Sequence, residues 1–206
     1  MINNLLDSNE KVIWSGKPDK VTYVIGMPFL YIFALIWGSF DFGFIGLFLK
    51  GGAMTGMGGI GFFIIPFFLL HLMPVWIALG GPIYRMINWN YINYAITEKR
   101  VYIETGIIGR DVKIIDFADI HQPEVNVGVI EKLRNCGSIR LNPFVSSDND
   151  GGRRTTFRAV LAHIAEPYEV FKMLKQMSLD IKSDINYPNA MRPEENPGYN
   201  TKYRPK

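Results

Sequence analysis

The chain has a single cysteine, Cys136, and charged residues make up only 20% of it. One cysteine excludes an intramolecular disulfide, so the sequence offers no disulfide framework of the kind that stabilises small secreted domains. The formal net charge of +3 is too small to indicate a nucleic-acid-binding protein. The three histidines lack a second ligand at metal-binding spacing, and no serine or cysteine lies in a nucleophile motif. We therefore expect no metal, no cofactor and no enzymatic activity.

The shortage of charge is concentrated in residues 21–84. Residues 21–40 contain no charge, and a helix of that length spans about 30 Å, the thickness of a bilayer's hydrocarbon core. Residues 51–84 carry no formal charge either. We predict a transmembrane hairpin over residues 21–84, with two helices at about 21–40 and 60–82. A pair of core helices in a soluble protein is the alternative, but such helices are seldom apolar on every face.

The predicted joint between the two helices, residues 41–59, is rich in glycine, and Asp41 and Lys50 are its only charges. We expect its apolar part, residues 42–49, to lie at the membrane interface or to extend the first helix. Gly52 and Gly56 have the four-residue spacing of a small-residue helix contact, which makes a homo-oligomer plausible. His71 is the only ionisable residue in the second block. Because neither predicted span supplies an acid or base to pair with it, we interpret His71 as a hydrogen-bonded structural residue, with a functional ionisable group as the alternative.

Lysine and arginine residues flank the hairpin unequally, and this predicts its orientation. Three lysines precede the first span, three basic residues follow the second, and the joint has only Lys50. We therefore expect a multi-pass membrane protein with both termini in the cytoplasm. The basic residues before and after the hairpin are Lys11, Lys17, Lys20, Arg85, Lys99 and Arg100.

Beyond the hairpin the apolar residues alternate with polar ones, which is typical of short antiparallel strands. Strands are predicted at 89–97, 100–105, 110–117, 124–129, 137–142 and 154–161, with one more at 10–16 in the leader, residues 1–20. Glu166 and Pro167 begin a predicted amphipathic helix whose apolar stripe is Val170, Phe171, Leu174 and Met177. Residues 85–179 thus form a mainly-β domain. We expect residues 180–206 to be a disordered tail.

Several motifs together resemble a known family. Residues 10–18 read EKVIWSGKP, two predicted spans follow, and residues 94–103 read YAITEKRVYI. With Gly106, Ile120 and Cys136-Gly137, these residues resemble the bacterial PH domain family of the YdbS-like type over residues 10–178. The resemblance implies a PH-like barrel or sandwich with one C-terminal helix, anchored in the bacterial inner membrane and non-catalytic. It implies no specific ligand, and the loop at 146–154 departs from the family pattern.

Seven basic residues of the predicted domain are candidates for contact with anionic lipid or a partner protein, and each could gain about 1 kcal/mol at a lipid surface. A solvated surface of mixed charge is the alternative, because residues 85–177 carry thirteen basic and eleven acidic residues. The candidates are Lys99, Arg100, Arg110, Lys113, Arg153, Arg154 and Arg158.

The sequence therefore predicts an integral membrane scaffold or adaptor that binds other membrane proteins and the lipid bilayer. A subunit or regulator of a transport or channel complex is the alternative function. Such a path would require polar groups within the spans, and Ser39 and His71 are the main ones visible in the sequence. A membrane enzyme finds no support, because no acid, base, nucleophile or metal ligands converge.

Overall fold

The computed structural model describes residues 2–8, 10–50, 60–142 and 159–186, and the chain divides into two compact units. One unit combines Met1–Tyr23 with Asn88–Lys206, and the other is Val24–Ile87. The first unit therefore contains residues from both sides of the helical segment. Residues 187–206 of the predicted tail lie outside the described residues, as do five predicted contact residues: Gly52, Gly56, Arg153, Arg154 and Arg158.

The described part of the apolar segment contains four helices: α1 (Lys20–Ile25), α2 (Pro28–Lys50), α3 (Ile60–His71) and α4 (Met73–Trp89). Their interruptions follow from backbone chemistry. Gly26 has a φ of 62°, a left-handed conformation that glycine adopts without strain, and Pro28 opens α2, where a missing N–H costs nothing. The change from α3 to α4 falls at Leu72, two residues before Pro74.

The helix bounds differ from the predicted span at 21–40. The helix starts anew at Pro28 and continues through Asp41 to Lys50, so the first part of the predicted joint is helical. Sequence reasoning ended the span at its first charge. Among the described residues one helix is long and apolar enough to cross a membrane by length and composition, and it covers Pro28–Phe48.

The other unit contains two antiparallel sheets. The first consists of β1 (Val12–Gly16), β2 (Asn93–Thr97), β3 (Arg100–Thr105) and β4 (Asp111–Asp116), paired in that order. The second consists of β5 (Glu124–Asn126), β6 (Cys136–Arg140) and β7 (Val160–Ala165), also in order. A short helix, α5 (Val129–Leu133), separates β5 from β6, and the C-terminal helix α6 (Pro167–Asn186) follows β7. The predicted mainly-β domain with a C-terminal helix is therefore confirmed, with the strands arranged in two sheets.

Helix α6 supplies one wall of the main hydrophobic core. Its side chains pack with inward-facing residues of β2 and β3 and with residues of β6 and β7, as the alternation of each strand requires. The buried members include Tyr94, Ile96, Val101, Ile103, Ile139, Leu161, Ile164, Val170, Met173, Leu174 and Met177. The helix continues to Asn186, past the predicted boundary at 179, because Ile181 still packs against this core.

The opposite face of the first sheet is covered by the start of the chain. Ile2 is buried together with Ala95 and Tyr102, and Leu6 packs against them. A 3-10 turn at Ile2–Asn4 brings these residues onto the sheet. The leader thus contributes a strand to the sheet and a cover to its outer face.

The core predicts a clear contrast between two leucines of α6. Leu174 is fully buried, whereas Leu179 is 51% exposed. We expect Leu174→Ala to lower the free energy of unfolding by about 2–5 kcal/mol, through lost burial and the cavity left behind. Leu179→Ala, the matched control, should stay within about 0.5 kcal/mol of the parent. Denaturant unfolding of the full chain in detergent measures both, and equal losses would contradict the described core.

Candidate functional site

A buried carboxylate joins the leader to the first sheet. Glu10 precedes β1, its side chain is fully buried, and its two oxygens accept hydrogen bonds from the hydroxyls of Thr97 and Tyr102. The backbone N–H of Asp7 donates to the same carboxylate, at 3.2 Å. We call these residues, together with Arg100 and Asp116, the leader network.

Arg100 extends the leader network across three segments. Its guanidinium lies 3.1 Å from the carboxylate of Asp7, 3.8 Å from that of Glu10 and 2.7 Å from that of Asp116 on β4. The Thr97 hydroxyl oxygen accepts the backbone N–H of Arg100 at 3.0 Å, which shapes the tight turn between β2 and β3. The Thr-x-x-Arg motif therefore has a structural role here, because both of its named residues hold the leader.

The network also sets the ionisation of Glu10. Burial raises the pKa of its carboxyl, but the hydrogen bonds from Thr97, Asp7 and Tyr102 and the charge of Arg100 together hold the pKa below its ordinary value of 4.5. Burial in turn raises the pKa of the Tyr102 hydroxyl. Glu10 is therefore ionised in the folded protein at neutral pH.

A second ion pair connects the entry to the helices with the second sheet. Asp19, just before α1, accepts two hydrogen bonds from Arg134 at 2.8 and 2.9 Å, and it also accepts the N–H and hydroxyl of Thr22. The guanidinium holds the pKa of Asp19 well below its usual range. The Thr22 hydroxyl lies 3.3 Å from the Cys136 sulfur, and burial raises the pKa of that thiol. A thiol of raised pKa is a weak nucleophile at neutral pH, which agrees with a structural role.

Glu131 is the centre of a third polar cluster. Its carboxylate accepts the backbone N–H of Gly128 at 2.6 Å and the Ser138 hydroxyl at 2.9 Å, and it lies 2.7 Å from His163 Nδ1. Ser138 thus donates to the carboxylate, and its oxygen accepts the backbone N–H of His163. In a hydrolytic triad the serine hydroxyl would donate to the imidazole, whereas here it donates to the carboxylate. The cluster instead caps α5, because Glu131 accepts the backbone N–H of Gly128 at the start of that helix. Within the described ranges no group of three or more His, Cys, Asp or Glu side chains is arranged to hold a metal ion.

The four predicted basic contact residues that the structure describes lie at both ends of the first sheet. Arg100 is within the leader network, and Lys99 is exposed at the β2–β3 turn. Arg110, 3.5 Å from the buried carboxylate of Glu104, lies at the other end of the sheet, because Thr105 pairs with Asp111 and Arg100 with Asp116. Arg100 and Arg110 are therefore separated by the length of β3, which rises about 3.3 Å per residue. Lys113 is exposed on β4. Lipid contact by these residues stays a prediction.

Sequence reasoning missed that the strand before the helical segment pairs with the strand after it. Gly16 at the end of β1 pairs with Tyr94, so the chain leaves and re-enters the sheet at one end. The ammonium groups of Lys17 and Lys20 lie 5.1 and 5.2 Å from the centre of the Trp89 ring, within cation–π distance. The Trp89 indole N–H donates to the carbonyl of Pro18 at 2.7 Å. Paired aromatic and lysine residues beside an apolar block were the signal available in the sequence.

His71 is hydrogen-bonded, as the sequence analysis interpreted it, but its partner is an acid that the sequence analysis did not find. Its Nδ1 lies 2.9 and 3.1 Å from the two oxygens of Asp41, and Asp41 is only 2% exposed. The imidazole lies between the rings of Trp37 and Phe67, with centroids at 4.9 and 5.1 Å. The Trp37 indole N–H donates to the His71 carbonyl. The partner was missed because Asp41 was assigned to the joint, whereas it belongs to α2.

Comparison with known proteins identifies one relationship. The family model described as "Bacterial PH domain" matches residues 43–178, well over half of the chain. No curated protein and no solved structure matches the chain.

Proposed function

Since the chain belongs to the bacterial PH domain family, we propose that it is a membrane-anchored adaptor whose PH-like domain binds partner proteins at the inner face of the bacterial membrane. Domains of this kind are typically non-catalytic binding modules, and the three polar clusters described above hold the fold together. The YdbS-like type, the partner and homo-oligomer formation belong to the proposal. Tethering to the membrane raises the local concentration of the domain, so weak contacts suffice for binding.

The pairing of β1 with β2 is the observation that carries the proposal. These neighbouring strands flank the whole helical segment in sequence. Two strands of one sheet must lie on the same side of any membrane, so the helices between them can cross it only an even number of times. If α2 crosses, α3 and α4 together supply the return, and both flanks share one compartment.

The surface of the helical unit supports the anchor. Large apolar side chains point outward along α2 and α3, and a water-soluble surface seldom exposes so many together. Six of them are each at least 72% exposed: Phe29, Leu35, Phe40, Leu47, Phe63 and Leu70. A bilayer would cover these side chains, and the excess of lysine and arginine on the flanking segments favours the cytoplasm for both ends.

The anchor predicts resistance to extraction and a single-sided label pattern. We expect the protein to remain in membranes during an alkaline carbonate wash. In a Cys136→Ala background, Ser8→Cys in the leader and Lys99→Cys in the domain should react with an impermeant thiol reagent only after cells are permeabilised. Thr55→Cys, in the predicted joint, is the control that should react in intact cells. Release by carbonate would overturn the anchor, and labels on opposite sides for residues 8 and 99 would overturn the even number of crossings.

The pair formed by Asp41 and His71 favours a second candidate, a subunit of a proton- or cation-coupled transport complex. Ionisable groups inside apolar helices are costly, and they often mark transport paths. The two residues come from different helices and are in direct contact, so a proton could move between them. An adaptor does not require this ionisable pair, so variants of Asp41 and His71 can distinguish the two functions.

Flux through reconstituted protein decides between these functions. A transport role predicts proton or cation flux in proteoliposomes that is abolished by Asp41→Asn and by His71→Gln, since neither variant retains the ionisable pair. Ser39→Ala, which alters another polar side chain of α2, is the matched control and should retain flux. If the parent protein gives no flux above empty liposomes, the chain does not form a transport path by itself, and the adaptor function is favoured.

Glu10 gives a prediction that tests the domain's attachment to its leader. Its folded-state pKa lies below the ordinary 4.5, so its stabilising effect is complete at neutral pH and is lost as the pH falls below that value. Glu10→Gln should therefore lower stability by about 1.5–3 kcal/mol at pH 7, as expected for hydrogen bonds to a charged group, and by less in acid. Thermal unfolding in detergent measures this. Glu124→Gln, at an exposed carboxylate, should change little, and a pH-independent loss in Glu10→Gln would contradict the network.

A further inference from the structure

The register of the first sheet gathers three segments at one end. Gly16 pairs with Tyr94, Asn93 pairs with Glu104, and Thr105 pairs with Asp111. The loop between β3 and β4, residues 106–110, therefore lies at the end where β1 stops and β2 begins. This is the end at which the chain departs for the helices and returns from them. The turn between β2 and β3, which contains Glu98, lies at the opposite end.

The β3–β4 loop ends in an apolar tip. Its sequence is Gly-Ile-Ile-Gly-Arg, and Ile108 is fully exposed. The backbone of the loop is tightly constrained at Gly106. This residue has a φ of 118°, and a Cβ there would lie 1.9 Å from the carbonyl oxygen of Gly109. Only glycine fits that position. A constrained loop thus presents an isoleucine where a solvated loop would normally carry a polar residue.

Residues around this end match the membrane–water interface. Lys17 and Lys20 are exposed and lie beside Trp89, and such lysine and tryptophan side chains commonly sit at that interface. The acids nearby are largely engaged, since Asp19 binds Arg134 and Glu104 pairs with Arg110. Asp111 is the exposed acid next to the loop.

We propose that the β3–β4 loop inserts Ile108 into the interfacial layer of the bilayer and so fixes the orientation of the PH-like domain on the membrane. This rests on the proposed anchor, since the same end of the sheet must face the membrane. The occupant of the loop tip is the bilayer, because the tip is small and convex, whereas a protein partner with a stable interface needs a broad surface. Burial of an isoleucine side chain is favourable, and the tether already supplies proximity.

The test is an environment-sensitive probe on the full chain in vesicles containing anionic lipid. A fluorophore of the NBD type is attached to Ile108→Cys in the Cys136→Ala background. The matched control carries the same probe at Glu98→Cys, an exposed position at the other end of the same sheet. Carbonate resistance of each labelled protein is measured on the same sample, which separates failure of the anchor from failure of the loop contact.

We expect a blue-shifted emission at position 108 that is strongly quenched by lipids carrying a nitroxide near the headgroup, and a water-like, unquenched emission at position 98. Water-like emission at both positions in a carbonate-resistant protein would overturn the loop contact and leave the anchor intact. Quenching at both positions would also overturn it, because the contact would not be specific to this end. Quenching at 108 that persists in Ile107→Ser but is lost in Gly106→Ala would show that loop shape determines insertion, as proposed.

Discussion

The PH-like domain depends on one buried carboxylate. Glu10 comes from the leader, and its partners Thr97, Arg100 and Tyr102 come from beyond the helical segment. A buried charge is tolerated only when it is paired and fully hydrogen-bonded. Removal of the leader would leave Arg100 and Tyr102 without this partner and would uncover the face of Tyr102 that Ile2 protects. The leader is therefore part of the domain, although the helices interrupt it.

The helical unit follows the same rule under a stricter constraint. Many of its outward side chains are apolar, and the polar side chains of Asp41, His71 and Trp37 bond within the unit. Asp41 contacts His71, and the Trp37 indole donates to the His71 carbonyl. An unpaired carboxylate among apolar side chains would be costly, so the pairing of Asp41 with His71 stabilises the contact between α2 and α3. Stacking of Trp37 and Phe67 on the imidazole adds dispersion and, when the ring is protonated, cation–π attraction.

Elements with a strong local period were predictable, and contacts between distant residues were not. The alternation in residues 100–105 gave β3 with its observed bounds, and the stripe ending at Met177 gave α6. The ion pair between Asp19 and Arg134 joins residues far apart in sequence, and nothing local distinguishes either one. Asp41 was misplaced because a charge was taken to end a span. The sequence placed the basic residues on strands and turns without showing which of them share an end of the sheet, and the register of β3 separates Lys99 from Arg110.

The connectivity also couples the helical segment to the PH-like domain. When β1 pairs with β2, the chain between them, which includes the four described helices, becomes a closed loop. Closing this loop has an entropic cost, because the two ends of the helical segment must be held together. Pairing of β1 with β2 holds the two ends of the helical segment next to each other, and the hydrogen bonds that Glu10 accepts from Thr97 and Tyr102 help to offset the closure cost. The Thr97–Arg100 turn joins β2 and β3, which are neighbours in sequence. The Thr-x-x-Arg motif thus forms the site that binds Asp7 and Glu10 of the leader, although the helical segment separates the two in sequence.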